Sequence, residues 1–211
     1  MPIACAAMLD HVFTDAISAL RDAFETGALL ERQAFDEHFQ SDILLGDLTW
    51  ETSYGLPGEG TPPRAVAHVT LDWPTWSQTA YRRWYVDEVF EDPPVIELEI
   101  VYRVQRLVGL PDPSPFLAVL PATSPPIGSD PMDRAAPTVE IQYADVPGDQ
   151  ISYAIEITYE GAYELSEETL ANGSSTQLDD HFGALGAWIS SMLVRLGDLK
   201  LDYLPAEEVG G

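Results

Sequence analysis

The sequence predicts an α+β fold, a mostly antiparallel sheet with an N-terminal and a C-terminal helix packed on one of its faces. Two long segments, Val95 to Leu107 and Ile151 to Tyr163, alternate apolar and polar residues with a period of two. That is the pattern of strands with one covered and one solvated side, and it argues against a parallel sheet buried on both faces. Two further segments, near the ends of the chain, carry apolar residues at spacings of three and four, the period of a helix. With 211 residues, 45% of them apolar, the chain has enough material for one real core, so 1–211 reads as a single domain.

In chain order, residues 3–26 form one amphipathic helix. Leu9, Val12, Phe13, Ala16, Ile17, Leu20 and Phe24 make its stripe, and Gly27 is its C-cap. A short second helical stretch is expected from Leu29 to Phe39. Strands follow at Ile43–Tyr54, interrupted by Gly46, and at Ala65–Leu71. Gly55 to Pro63 is a turn-rich loop. Asp72 stands where it could cap a short helix from Pro74 to Tyr85. In the strand 95–107, Ile96, Leu98, Ile100, Tyr102 and Val104 share one face, while Glu97, Glu99, Arg103 and Gln105 share the other. Val139, Ile141 and Tyr143 lead through Val146-Pro147-Gly148-Asp149 into the strand 151–163, a hairpin signal.

Residues 109–137 hold eight prolines, at 111, 113, 115, 121, 125, 126, 131 and 137. Proline lacks the backbone donor that a central strand needs, so the segment reads as an arm or long loop, with a short helix at Phe116–Leu120. The last helix, about Leu178 to Leu196, carries no charge from Phe182 to Val194. Gly183, Gly186 and Ala187 form a small-residue patch on it. Such a helix must be covered all round, either within the domain or by another subunit.

The formal net charge is −25, from 35 acids against 10 bases, and the bases are nine arginines and one lysine, Lys200. The acids are spread evenly, nine in residues 1–50, nine in 51–100, six in 101–150 and eleven in 151–211. This excludes direct nucleic-acid binding and attraction to anionic membranes, both of which depend on Lys and Arg. It is the composition expected of a protein that works in very high salt, where screening shortens to about 3 Å and self-repulsion fades. No stretch is long and apolar enough for a membrane helix, and Met1 to Met8 lacks the positive start of a signal peptide. The single cysteine, Cys5, cannot form an internal disulfide and reads as a small buried filler.

Candidate chemistry is sparse. His11, His38, His68 and His181 have no metal-ligand spacing, and no nucleophile elbow, phosphate loop or dinucleotide fingerprint occurs. No catalytic, metal-binding or cofactor-binding residue is therefore assigned, and no cofactor is expected. Asp179-Asp180-His181 is read as dipole-complementing acid in the first turn of the last helix. Glu97 and Glu99 are read as a solvated face, although paired carboxylates can divide acid and base roles. Asn172-Gly173-Ser174 is read as a turn. The candidate interface residues are Trp73, Trp76, Tyr81, Arg82, Arg83 and Trp84, types favoured at interface hot spots. With them go Phe116, Leu117, Val119 and Leu120 in the arm, expected to dock on a neighbouring subunit, and Gly183, Gly186 and Trp188 on the last helix.

Through Met8 to Phe24, Val95 to Leu107, Ile151 to Tyr163 and Phe182 to Leu196, the chain resembles the tail-terminator and neck (head–tail connector) proteins of tailed viruses. The resemblance is one of element order. It implies a non-enzymatic subunit of a homo-oligomeric ring that meets other assembly proteins in the virion, assembled in the cytoplasm of a halophilic host. Two other classes stay open: a soluble halophile enzyme or small-molecule-binding domain in the cytoplasm, and an acidic nucleic-acid mimic that inhibits a basic protein. The charge reading itself is tested by thermal melting from molar salt down to tens of millimolar. The midpoint is expected to fall as screening is withdrawn, and an unchanged midpoint contradicts a salt-adapted fold.

Overall fold

Alternation along Leu48–Gly55, Ala65–Trp73 and Val95–Leu107 builds a meander with one mainly apolar, buried face. The computed structural model describes residues 3–26, 34–41, 46–56, 62–85, 92–142, 151–165 and 175–205. Its elements are α1 (Ile3–Thr26), β1 (Ala34–Ser41), β2 (Leu48–Gly55), β3 (Ala65–Trp73), α2 (Thr75–Tyr85), β4 (Val95–Leu107), α3 (Ser114–Val119), β5 (Thr123–Ile127), β6 (Asp130–Arg134), β7 (Thr138–Gln142), β8 (Ser152–Glu164) and α4 (Ser175–Gly197). One eight-stranded sheet runs β1-β2-β3-β4-β8-β6-β5, and β7 also pairs with β8. Every pairing is antiparallel. The α+β class and the one-sided helix layer expected from the sequence are what the chain forms.

Period two puts Trp50 and Tyr54 of β2, Val69, Leu71 and Trp73 of β3, and Ile96, Leu98, Ile100, Tyr102 and Val104 of β4 on the covered face, all buried. Ile155, Ile157 and Tyr159 of β8 join them. The predicted stripe of α1 supplies Val12, Phe13, Ala16, Ile17, Leu20 and Phe24, also buried. Phe24 stacks on Tyr54 with centroids 3.6 Å apart, and Phe13 lies 6.0 Å from Trp73. From α4, Trp188 meets Tyr159 edge-on at 5.1 Å and Tyr102 at 6.0 Å. Such edge-to-face pairs add to the burial of their area.

Two members of the small-residue patch, Gly183 and Gly186, lie at the seam between the two long helices, while Ala187 is exposed. A Cβ on Gly186 would run into the Leu20 carbonyl of α1, and one on Gly183 would come to 3.9 Å of Ala23. An open subunit seam at Gly183 and Gly186 is therefore corrected: that side of α4 is taken by α1 of the same chain. The proline-rich segment is corrected in the same way. It folds into α3 and the β5–β6 hairpin, and α3 and β5 lie against α4. Phe116, Leu120, Ile127 and Met132 are buried in the common core, with Leu117 and Val119 half-buried. Tyr159 Oη donates to the Pro121 carbonyl at 2.6 Å, and the Arg134 guanidinium donates to the Leu120 carbonyl. The prolines of β5 sit at the sheet edge, where a missing donor costs little. Within the chain the segment folds back over its own core.

Two local expectations also change. Ala34–Ser41 pairs with β2 over eight residues, so the helix expected to Phe39 gives way to a strand. Phe35 and Phe39, four apart, fit either period, and cross-strand pairing decides between them. The cap of α2 is Asp47, from the turn before β2: its Oδ1 accepts from the Thr75 amide at 2.6 Å and the Thr75 hydroxyl at 2.7 Å. Asp72 is engaged instead by the Thr49 hydroxyl across the β2–β3 pair. Gly27, residues 29–33, 43–45 and 57–61, Val146 to Asp149 and Asn172 to Ser174 lie outside the described residues, as do the side chains of Cys5, His11 and His38.

The helix seam yields a paired prediction. Gly186→Ala is expected to destabilise the fold by about 1–3 kcal/mol, because backbone and not a flexible side chain must yield. Gly183→Ala is expected to be neutral or to stabilise by roughly 0.5–1 kcal/mol through helix propensity. Denaturant unfolding of both variants in molar salt checks the contrast, and equal effects contradict the seam.

Candidate functional site

Strand register sorts the polar residues of the uncovered face into rows. One row runs Glu51, Thr70, Glu99, Glu160 and Asp133 across β2, β3, β4, β8 and β6. The next holds Thr49, Asp72, Glu97 and Ala162. Neighbouring strands are about 4.8 Å apart, so carboxylates opposite each other repel directly. Between these rows lies a cleft of about 390 Å³, lined by Thr70, Asp72, Glu97, Glu99, Glu160 and the backbone around Gly161. The Glu99 carboxyl is pushed above its ordinary range, first by partial burial and then by Glu160, Asp72 and Glu51. The paired strand-face carboxylates expected at Glu97 and Glu99 are thus part of a larger acidic strip. The sheet adds Glu51, Asp72, Glu160 and Asp133 to it, and only the pairing of distant strands reveals them.

Two rows further on, the same face is neutralised. Ser53 Oγ and His68 Nδ1 are 2.6 Å apart across β2 and β3. The Arg103 guanidinium bridges Glu156 of β8 and Glu140 of β7, the latter at 2.8 Å. His68 is held below its ordinary range by burial and by Arg103, with Glu156 opposing, so it stays neutral and serves as a partner for Ser53. Alternation placed His68 and Arg103 on the polar side, but their partners were not visible without the register.

No protein-family model, no curated protein and no solved structure matches the chain.

The aromatic–arginine cluster divides. Trp73 and Tyr81 are core residues, 5.7 Å apart ring to ring, and Trp84 is half-buried against Tyr81. The Trp73 indole donates to Ser77 Oγ at 3.0 Å, and Ser77 Oγ donates to the Val95 carbonyl at 2.6 Å. Gln78 Nε2 donates to the carbonyls of Gly46 and Trp73, both at 2.8 Å. These bonds fix α2 rigidly at the β3–β4 end of the sheet. What remains on its surface is Trp76, 49% exposed, with exposed Arg82 and Arg83. An interface role for Trp73 and Tyr81 is corrected by their burial, whereas Trp188 is half-buried, edge-on against Tyr102 and Tyr159.

Helix α4 begins at Ser175, so Asp179 and Asp180 lie in its second turn and not the first. The Asp179 carboxyl is raised by burial and by Asp15, Asp180 and Asp22. His181 Nδ1 meets Tyr163 Oη at 3.1 Å, which accounts for the histidine without acid–base work. Among the described residues no group of three or more His, Cys, Asp or Glu could hold a metal ion, and no helix is long and apolar enough to cross a membrane.

The acidic strip can attract cations and basic side chains, and it repels anions. Its cost to the fold gives a prediction with a defined sign. A carboxyl whose pKa is raised on folding contributes stability in its protonated form, and that contribution is lost as pH rises through the folded value. Glu99→Gln is therefore expected to raise the melting temperature at pH 7, with the gain shrinking as pH falls toward 4.5 and larger at low salt than at high. Melting curves across pH 4–8 at two salt concentrations check it. A gain independent of both variables would assign the effect to packing instead.

Proposed function

We propose that the protein is a non-enzymatic assembly subunit, a ring-forming neck or tail component of a tailed virus with a halophilic host. The observation that carries this reading is the asymmetry of the domain. Both long helices and most buried apolar side chains stack on one face of a wide antiparallel sheet, while the other face and the Trp76, Arg82 and Arg83 side of α2 are left to solvent. The element order of a leading helix, a meander and a closing helix on the same face supports it. The cleft beside Glu99 is a strip of like charge on an open sheet and not an enclosed apolar pocket of the kind that serves small molecules.

A second reading rests on the two carboxylate rows, whose spacing across strands offers a regular array of negative charge: an acidic mimic of nucleic acid that occupies a basic protein. Light scattering coupled to size exclusion in molar salt, followed by electron microscopy of the peak, separates the two. A discrete ring of many copies is expected. A strict monomer that displaces duplex DNA from a basic DNA-binding protein would replace the ring reading with the mimic.

A further inference from the structure

We propose that the exposed face of α2 is one half of the contact between neighbouring copies, and that it docks on the acidic strip of the next copy's sheet. The inference rests on the ring reading and names the surfaces that would close the ring. In a chain of 35 acids and 10 bases, Arg82-Arg83 is the one place where two bases stand side by side. Both are exposed, and Trp76 lies seven residues before Arg83, two turns back on the same side of the helix. An exposed tryptophan and two arginines stand on a helix pinned by Ser77 and Gln78, so little backbone freedom remains to be lost on docking.

The complement lies on the same molecule but on other elements. Asp72, Glu97, Glu99 and Glu160 gather around one cleft on the open face. A second copy of this chain carries that cleft, and no patch of α2 itself could pair with another α2 by charge. The contact is therefore head-to-tail, the type that repeats around an axis and closes into a ring when the rotation allows. High salt selects for this chemistry. Long-range attraction is screened within about 3 Å at molar ionic strength. What survives is close pairing of guanidinium with carboxylate together with burial of an indole. Seating two arginines in the strip would also relieve the repulsion that lifts Glu99.

The test uses the full chain in molar salt, with mass from light scattering and folding from circular dichroism. Arg82→Glu/Arg83→Glu and Glu97→Arg/Glu99→Arg are each expected to leave a folded protein shifted from oligomer to monomer. The quadruple variant, with both sides reversed and the wild-type net charge restored, is expected to regain the oligomer. Trp76→Ala, a smaller change, is expected to weaken association about tenfold or more. If both reversed variants assemble like the wild type, the proposed contact is wrong while the ring reading stands. If the reversed variants lose assembly and the quadruple variant does not recover it, the pairing is also wrong. A wild-type protein that is monomeric at every concentration overturns the contact and the ring together.

Discussion

The close crossing of α1 and α4 at Gly186 sets the height of the whole helix layer above the sheet. A helix without a side chain at that point lets the Leu20 backbone approach directly. Only with the two helices drawn together can Trp188 reach both Tyr102 and Tyr159 while Phe24 still lies flat on Tyr54. The uncharged run of α4 follows from the same geometry. One side meets α1, one meets the sheet, and a third is covered by α3 and β5. Interiors packed at crystal-like density transmit such a constraint across the layer.

Charge is distributed by the opposite logic. Among the described residues no acid is buried, so the described acids lie on helix flanks, loops and the open face of the sheet. There strand pairing forces some into register, as with Glu99 and Glu160. Pairs of that kind are destabilising in dilute buffer, and the Glu99 carboxyl is raised by burial and then by Glu160 opposite it. Arg103, clamped between Glu140 and Glu156, shows the other arrangement, in which one base serves acids from two strands.

Much of this was readable from residue order because period is a strong signal over long elements. The stripe of α1, the faces of β4 and β8 and the span of α2 all follow from spacing alone. The losses have specific causes. Phe35 and Phe39 suit two periods, so β1 was resolved by its partner strand. The cap of α2 comes from Asp47, 28 residues earlier, a distance over which local pattern carries no information. The prolines of residues 109–137 argued against a central strand, yet the segment supplies β5 at the sheet edge and β6 between β8 and β5, and they could not say that Phe116 and Leu120 turn inward. At the candidate site, alternation gave Glu97 and Glu99. Their neighbours Glu51, Glu160 and Asp133 depend on a register that only the folded sheet possesses.

One feature of β4 bears on how the chain reaches this state. At Arg106 the backbone turns left-handed, with φ of 61°, and β3 ends as a partner. Its place is taken by the segment after α4: Val108 N donates to the Asp202 carbonyl, Leu204 N to the Arg106 carbonyl, and the Arg106 guanidinium reaches the Leu204 and Pro62 carbonyls. Arg64 covers the Tyr203 ring at 4.8 Å. The last turn of the central strand is thus completed by residues almost a hundred positions downstream. On the ribosome, β1 to β4 can form a meander early, but β4 waits for β8 on one side and for residues 201–204 at its end. Contacts of such sequence separation are slow to close. The apolar face of β4 therefore stays incompletely covered until α4 is made and Trp188 reaches Tyr102, and residues 201–204 close the end of the strand after that.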